Sequence, residues 1–236
     1  MRVLRIAYFI TTTLILLSYS LLGQDTNSSQ LATIHVLVTD FENNSKKGEQ
    51  LLFEGLNSGS VYKGISDEDG KFDIQLQCGD TYLIKIKSIG EAQDYTKLSI
   101  PALNDGESCS PMLLTIKFEP PKFFTLDNVL FDSGKPTLKK SSYTELNELL
   151  EFMTLKEDIF VEIAGHTDNV GDKAANLKLS QARADAVRNF LISNGIESNR
   201  IISKGYGEDY PMDTNNTAEG RQNNRRTEVR IIKEEE

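Results

Sequence analysis

The sequence predicts two domains: an all-β sandwich over residues 32–119, and an α+β sheet with helices packed against it over residues 120–236. Three observations carry this division. From about Ala32 to Glu119, apolar and polar residues alternate at strand spacing, with turn clusters between the runs and no long helical stretch. Beyond Pro121, segments of helical spacing alternate with short strand-like runs. Between them stands Pro120-Pro121, which cannot donate to a sheet ladder and stiffens the chain as an interdomain hinge does.

Residues 1–23 have the layout of a secretory signal peptide. Arg2 and Arg5 make a basic start, Ile6 to Leu22 is apolar apart from hydroxyl residues, and Ser18, Ser20 and Gly23 are small residues suited to cleavage. The alternative is an uncleaved anchor, since about 17 apolar residues just span a bilayer. No Cys directly follows the apolar core, so no lipid anchor is expected. Residues 24–31, polar and rich in Ser and Asn, read as a linker. Export would bring Cys78 and Cys109 into an oxidising compartment. A disulfide between them is favoured over two separately buried thiols, and is worth roughly 3–4 kcal/mol in the chain-entropy model.

Within 32–119, Ile34, Val36 and Val38 alternate with polar neighbours, as do Phe72, Ile74 and Leu76. Leu83 to Lys87 and Leu113 to Phe118 behave similarly, and six or seven such strands in under about a hundred residues make a β-sandwich. The stretch Ser66 to Gly90, with Asp67, Gly70, Phe72, Gly79 and Tyr82, resembles the prealbumin-like sandwich of carboxypeptidase regulatory-like domains. That resemblance implies a structural or adhesive module. Asp67 and Asp69 read as a hairpin turn and not as half a calcium loop, which needs more acidic positions and a closing Glu.

In the second half, Phe123 to Phe131 is predicted as a strand leading into the loop FDSGKP, and Leu138 to Met153 as an amphipathic helix. Ile159 to Ala164 is apolar on both faces, as a buried central strand is. A second helix is expected to bury Leu179, Ala182, Ala186, Val187, Phe190 and Leu191, and to end at Gly195. Ile201 to Lys204 reads as a strand, Thr217 to Arg225 as a short helix and Thr227 to Ile232 as the last strand.

Four motifs lie along this half: GHTDNVG from Gly165, NLKLSQARADAVRNFL from Asn176, GYGEDYP from Gly205 and EGRQNNRRTEVRI from Glu219. In that order they resemble the OmpA-like peptidoglycan-binding domain, with VLFDSGK from Val129 fitting its first strand and loop. The resemblance implies a non-catalytic, wall-associated protein of the periplasm, with outer-membrane association as an option. Its partner would be the meso-diaminopimelate of peptidoglycan stem peptides, bound at Asp168 and Arg183. Thr167, Asn169 and Asn176 would line the site, with Arg225 and Asp132 as weaker members. Elementary chemistry agrees. A carboxylate on a loop after a buried strand accepts hydrogen bonds from an ammonium, a guanidinium on the following helix donates to a carboxylate, and together they suit a zwitterion. Asp168 is expected to stand free on an exposed loop, and Asn176 and Arg183, seven residues apart, to share a helix face.

Other functions fit less well. Lys and Arg total 26 against 35 Asp and Glu, a net charge of −9, which becomes −11 once Arg2 and Arg5 are removed. Nucleic-acid binding needs clustered basic residues instead. Two His and two Cys, scattered, offer no metal-ligand spacing, and no cofactor is expected. Glycan cleavage needs two carboxylates across a groove, whereas Asp168 and Asp172 share one loop, so no enzyme is predicted. His166 has no nucleophile beside it in sequence and reads as a supporting loop residue. A proton-carrying stator is disfavoured by the absence of acidic residues in the apolar segment. The remaining alternative is an interaction protein whose wall domain is an address and whose sandwich binds an envelope partner.

Overall fold

The computed structural model describes residues 14–15, 30–90, 92–104, 106–127, 129–132 and 134–234. The expected signal peptide lies outside the described residues except for a two-residue strand, β1 (Leu14–Ile15). Most of the expected linker is also outside them, and Leu31 already belongs to a strand. Among the described residues no helix is long and apolar enough to cross a membrane. The chain divides into two compact units, Met1–Pro120 and Pro121–Glu236.

The first unit contains β2 (Leu31–Thr39), β3 (Gln50–Gly55), β4 (Val61–Ile65), β5 (Lys71–Gln77), β6 (Thr81–Lys87), β7 (Gln93–Ser99) and β8 (Met112–Lys117). They form two sheets, ordered β1-β8-β2-β5 and β4-β3-β6-β7. Strand β2 runs parallel to β8 and antiparallel to β5. Period-2 alternation puts Ala32, Ile34, Val36 and Val38 inside, against Leu51, Phe53, Leu76, Tyr82 and Ile84, so one core serves both sheets. Phe72 and Ile74 pack on its margin. The Asp67 carboxylate accepts the backbone N–H groups of Asp69 (2.9 Å) and Lys71 (2.8 Å), which makes the hairpin turn. Gly70 in this turn has φ +74°, and a Cβ there would lie 2.4 Å from the Val38 carbonyl oxygen. Cys78 and Cys109 are joined by a disulfide with Cα atoms 6.5 Å apart.

The second unit contains β9 (Phe123–Thr125), α1 (Tyr143–Leu155), β10 (Ile159–His166), α2 (Lys173–Ser193), β11 (Ile201–Gly207), α3 (Ala218–Asn224) and β12 (Thr227–Glu234). Its sheet is ordered β11-β10-β12-β9, with β10 parallel to β11 and antiparallel to β12. Val161, Ile163 and Val229 are buried on one face, Leu146, Leu149 and Met153 of α1 are buried as well, and Phe152 of α1 packs on Phe124 of β9 with ring centres 5.5 Å apart.

Several boundaries differ from expectation. The strand expected to run to Phe131 stops at Thr125, because Val129 N–H turns back to the Leu126 carbonyl (3.4 Å). Phe131 then pairs with Leu138 in a small hairpin, closed by Asp132 N–H to the Thr137 carbonyl (3.0 Å). That hairpin uses up the segment expected to begin α1, which starts at Tyr143 instead, after a 3-10 turn at Lys140–Ser142. Helix α2 begins at Lys173 because the Asp172 side chain caps it, accepting Ala175 N–H at 2.8 Å. His166 is the last residue of β10 and not a loop residue.

The buried face of α2 is also rotated from the expected one. Asn176, Ser180, Ala184, Val187 and Leu191 are buried, whereas Leu179, Ala182, Ala186 and Phe190 are half-buried. The cause lies in the sheet. A Cβ on Gly165 would sit 2.3 Å from the Ser180 carbonyl oxygen, and one on Gly205 2.3 Å from the Gln181 nitrogen. The helix rests its small residues on these two glycines, closer than any apolar stripe would allow.

Candidate ligand site at the end of strand β10

Strand β10 ends where the motif GHTDNVG begins its loop. Thr167 N–H still donates to the Gly207 carbonyl (2.9 Å), so the residue before Asp168 remains tied to β11. Asp168 then uses both carboxylate oxygens. Oδ1 accepts Val170 N–H at 3.1 Å, an Asx-type turn that shapes the loop. Oδ2 takes a hydrogen bond from Nη1 of Arg225, at the C-terminal end of α3. The Asp168 side chain is only 12% exposed and that of Arg225 39%. Asp168 is thus a buried, paired carboxylate, where the sequence reading placed a free one on an exposed loop. The motif's Asp sits between the end of β10 and the C-terminal end of α3.

Arg183 stands nearby without hydrogen-bonding to Asp168 in the described structure. Its Nε donates to the Lys135 carbonyl (3.3 Å), and its guanidinium lies 5.0 Å from the centre of the Phe131 ring. Burial lowers its pKa from the ordinary arginine value, the Arg225 charge lowers it further, and Asp168 partly offsets both. Those electrostatic partners bring Asp168, Arg183 and Arg225 into one site: one carboxylate and two guanidiniums.

The other expected residues fall into different roles. Asn176 is buried and holds the loop, its amide donating toward the Asp168 and Val170 carbonyls (3.2 Å each) and the Glu208 carboxylate (2.8 Å). Thr167 is buried, and its hydroxyl meets no hydrogen-bond partner among the described residues. Asn169 is exposed and its N–H donates to Asn215 (3.3 Å). Asp132 acts through its backbone: its carbonyl accepts Lys135 N–H (3.0 Å), which fixes the loop whose Lys135 carbonyl receives Arg183.

Two participants were not anticipated. Gln222 accepts a hydrogen bond from Nη2 of Arg225; its position three residues before Arg225 was the available signal. Phe131, beneath Arg183, had none, because its contact depends on the hairpin that replaced a strand.

Residues 130–225 match the OmpA family. Outer membrane porin F of Pseudomonas fluorescens is 43% identical over 104 residues, covering 44% of this chain and 32% of the porin. Motility protein B of Bacillus subtilis is 37% identical over 126 residues, covering 51% of this chain and 45% of that protein. Among solved structures, the peptidoglycan-associated lipoprotein from Burkholderia pseudomallei aligns at 24% identity and a TM-score of 0.42, over 44% of this chain and 88% of the lipoprotein. The chain spans about a third of the porin's length and under half of the motility protein's.

Proposed function

With an OmpA family domain at residues 130–225 as the premise, we propose that this chain is a non-catalytic cell-wall binding protein of the envelope. Its C-terminal unit holds the diaminopimelate of peptidoglycan stem peptides. The observation that carries this reading is the charge count of the site: Asp168 faces two guanidiniums, Arg225 in contact and Arg183 near enough to feel the charges of both Asp168 and Arg225. A ligand carboxylate neutralises the surplus cation and relieves the repulsion between the two arginines. The ligand's ammonium then shares Asp168 with Arg225. A zwitterionic side chain satisfies both halves, and diaminopimelate carries one. Thr167 adds a buried hydroxyl for a further hydrogen bond. Acyl transfer or hydrolysis is not part of this reading, since the site offers charge recognition only. The outer-membrane name of the porin relative supports a periplasmic, wall-associated location for this chain.

Sedimentation of the full chain with insoluble peptidoglycan tests this. Asp168→Asn keeps an acceptor for Val170 N–H and removes the charge. The variant is expected to lose most of its sedimenting fraction, since truncating one partner of a buried charge pair costs roughly 2–5 kcal/mol of binding. Unchanged sedimentation with a folded variant contradicts the proposal.

A further inference from the structure

The sheet of the C-terminal unit has a second face, opposite its helices. The pairings Glu162↔Arg230 and Ala164↔Glu228, with Phe123 opposite Arg230, set these side chains on that face. There Glu228 is surrounded. One oxygen receives Arg226 Nε (2.7 Å), the other receives Arg230 Nε (2.9 Å) and Nη2 (2.6 Å), and His166 Nε2 lies 3.6 Å away. Tyr206 stacks on His166 at 5.4 Å between ring centres. A cavity of about 410 Å³ opens beside this cluster, lined by Lys122, Phe123, Met212, Arg226, Glu228 and Arg230.

Three lining residues are cations and one is an anion, in a chain whose net charge is −9. Glu228 is fully engaged by its neighbours and leaves the cavity cationic. The Arg226 side chain is only 9% exposed, its Nη2 donates to the Tyr210 carbonyl (3.2 Å), and its Nη1 meets no acceptor among the described residues. A buried guanidinium nitrogen without an acceptor, lining a cavity, lacks one partner. The lip is apolar: Phe123 is 53% and Met212 54% exposed.

We propose that this cavity is a second ligand site, separate from the Asp168 site, which takes a carboxylate borne on an apolar body, as at the C-terminus of a peptide ending in an apolar residue. The carboxylate meets Arg226 Nη1 and the Lys122 ammonium, and the apolar side chain lies between Phe123 and Met212.

The test titrates the full, isotope-labelled chain with N-acetyl-leucine, with uncharged N-acetyl-leucinamide and with inorganic phosphate, following backbone amide signals. N-acetyl-leucine is expected to bind saturably, shifting the signals of residues 226, 228 and 230, and to bind at least about tenfold more tightly than the other two probes, as loss of one charge-assisted bond implies. Lys122→Glu and Met212→Asp, both at exposed positions, are expected to abolish those shifts while circular dichroism stays unchanged. Asp168→Asn is expected to leave them intact, which separates this site from the wall-binding one. Equal affinity for acid and amide, phosphate binding as tightly as N-acetyl-leucine, or wild-type shifts in both rim variants overturns the proposal.

Discussion

Asp168 does two jobs with one carboxylate, shaping its loop through Val170 N–H and pairing with Arg225. A residue that looks free in sequence is therefore committed before any ligand arrives, and ligand binding must redistribute an existing pair. Arg183 makes no ion pair among the described residues and is held by the Lys135 carbonyl and the Phe131 ring. Replacing it with Lys keeps the charge and loses the planar fork. Arg183→Lys is expected to weaken binding of a diaminopimelate stem peptide about tenfold or more, as loss of one charge-assisted bond implies, measured by calorimetric titration. Equal affinity would make Arg183 a point charge only. Glu228 gives a pH prediction. Burial alone raises its pKa, but hydrogen bonds from His166 and Arg230 and the charge of Arg226 hold it well below the usual carboxylate range. A folded-state pKa below the unfolded value stabilises the fold above the unfolded pKa of about 4.3, and this stabilisation is lost as pH falls toward the folded value. Glu228→Gln is expected to cost about 3–5 kcal/mol at neutral pH, as breaking a buried pair does. Denaturant titrations should show the gap to wild type narrowing below about pH 4. A gap that is constant with pH would contradict this pairing.

At the scale of elements, the site depends on how closely α2 lies on β10 and β11. Gly207 N–H donates to Ser180 Oγ (2.9 Å), and Gly205 N–H to Gln181 Oε1 (2.8 Å), so strand and helix are stitched where the glycines let them meet. In Gly205→Ala the new Cβ would lie 2.3 Å from the Gln181 nitrogen and 2.7 Å from its Cα, both backbone atoms. The helix must shift, at an expected cost of about 1–3 kcal/mol or more. A fall of several degrees in Tm is expected, with weaker wall binding because α2 carries both Asn176 and Arg183. An unchanged Tm would show that α2 tolerates displacement. The same contact explains what sequence patterns made legible. Period-2 alternation marks β2 and β8 plainly, since each has one face on the core. Strand β10 is legible as central because it is apolar on both faces. The orientation of α2 is not legible from its own apolar residues, because it is set by two glycines on other strands. The start of α1 was missed for a similar reason: Leu138 has helical spacing but pairs with Phe131 in a hairpin. For the site, residue types and order pointed to Asp168, Arg183 and Arg225. The Asp168–Arg225 pair itself depends on where α3 ends, and that is set by tertiary packing.

For the whole molecule, the chain is built as two compact units. The first is closed by the Cys78–Cys109 bridge, whose 31-residue separation is worth roughly 3–4 kcal/mol in the chain-entropy model. The second carries the candidate site. The net charge of −9 would repel an acidic ligand at long range, but exposed charges are screened beyond about 8 Å at physiological salt. On the proposed reading, recognition rests on the local charges of Asp168, Arg183 and Arg225 and not on the field of the molecule. The most direct test is calorimetric titration of the full chain with two soluble stem peptides that differ at one residue, meso-diaminopimelate in one and lysine in the other. Both present an ammonium to Asp168, and only the first presents a side-chain carboxylate to Arg183 and Arg225. The diaminopimelate peptide is expected to bind at least about tenfold more tightly, the equivalent of one charge-assisted hydrogen bond or more. Equal affinity for the two peptides, or preference for the lysine form, would contradict recognition of a zwitterion at this site.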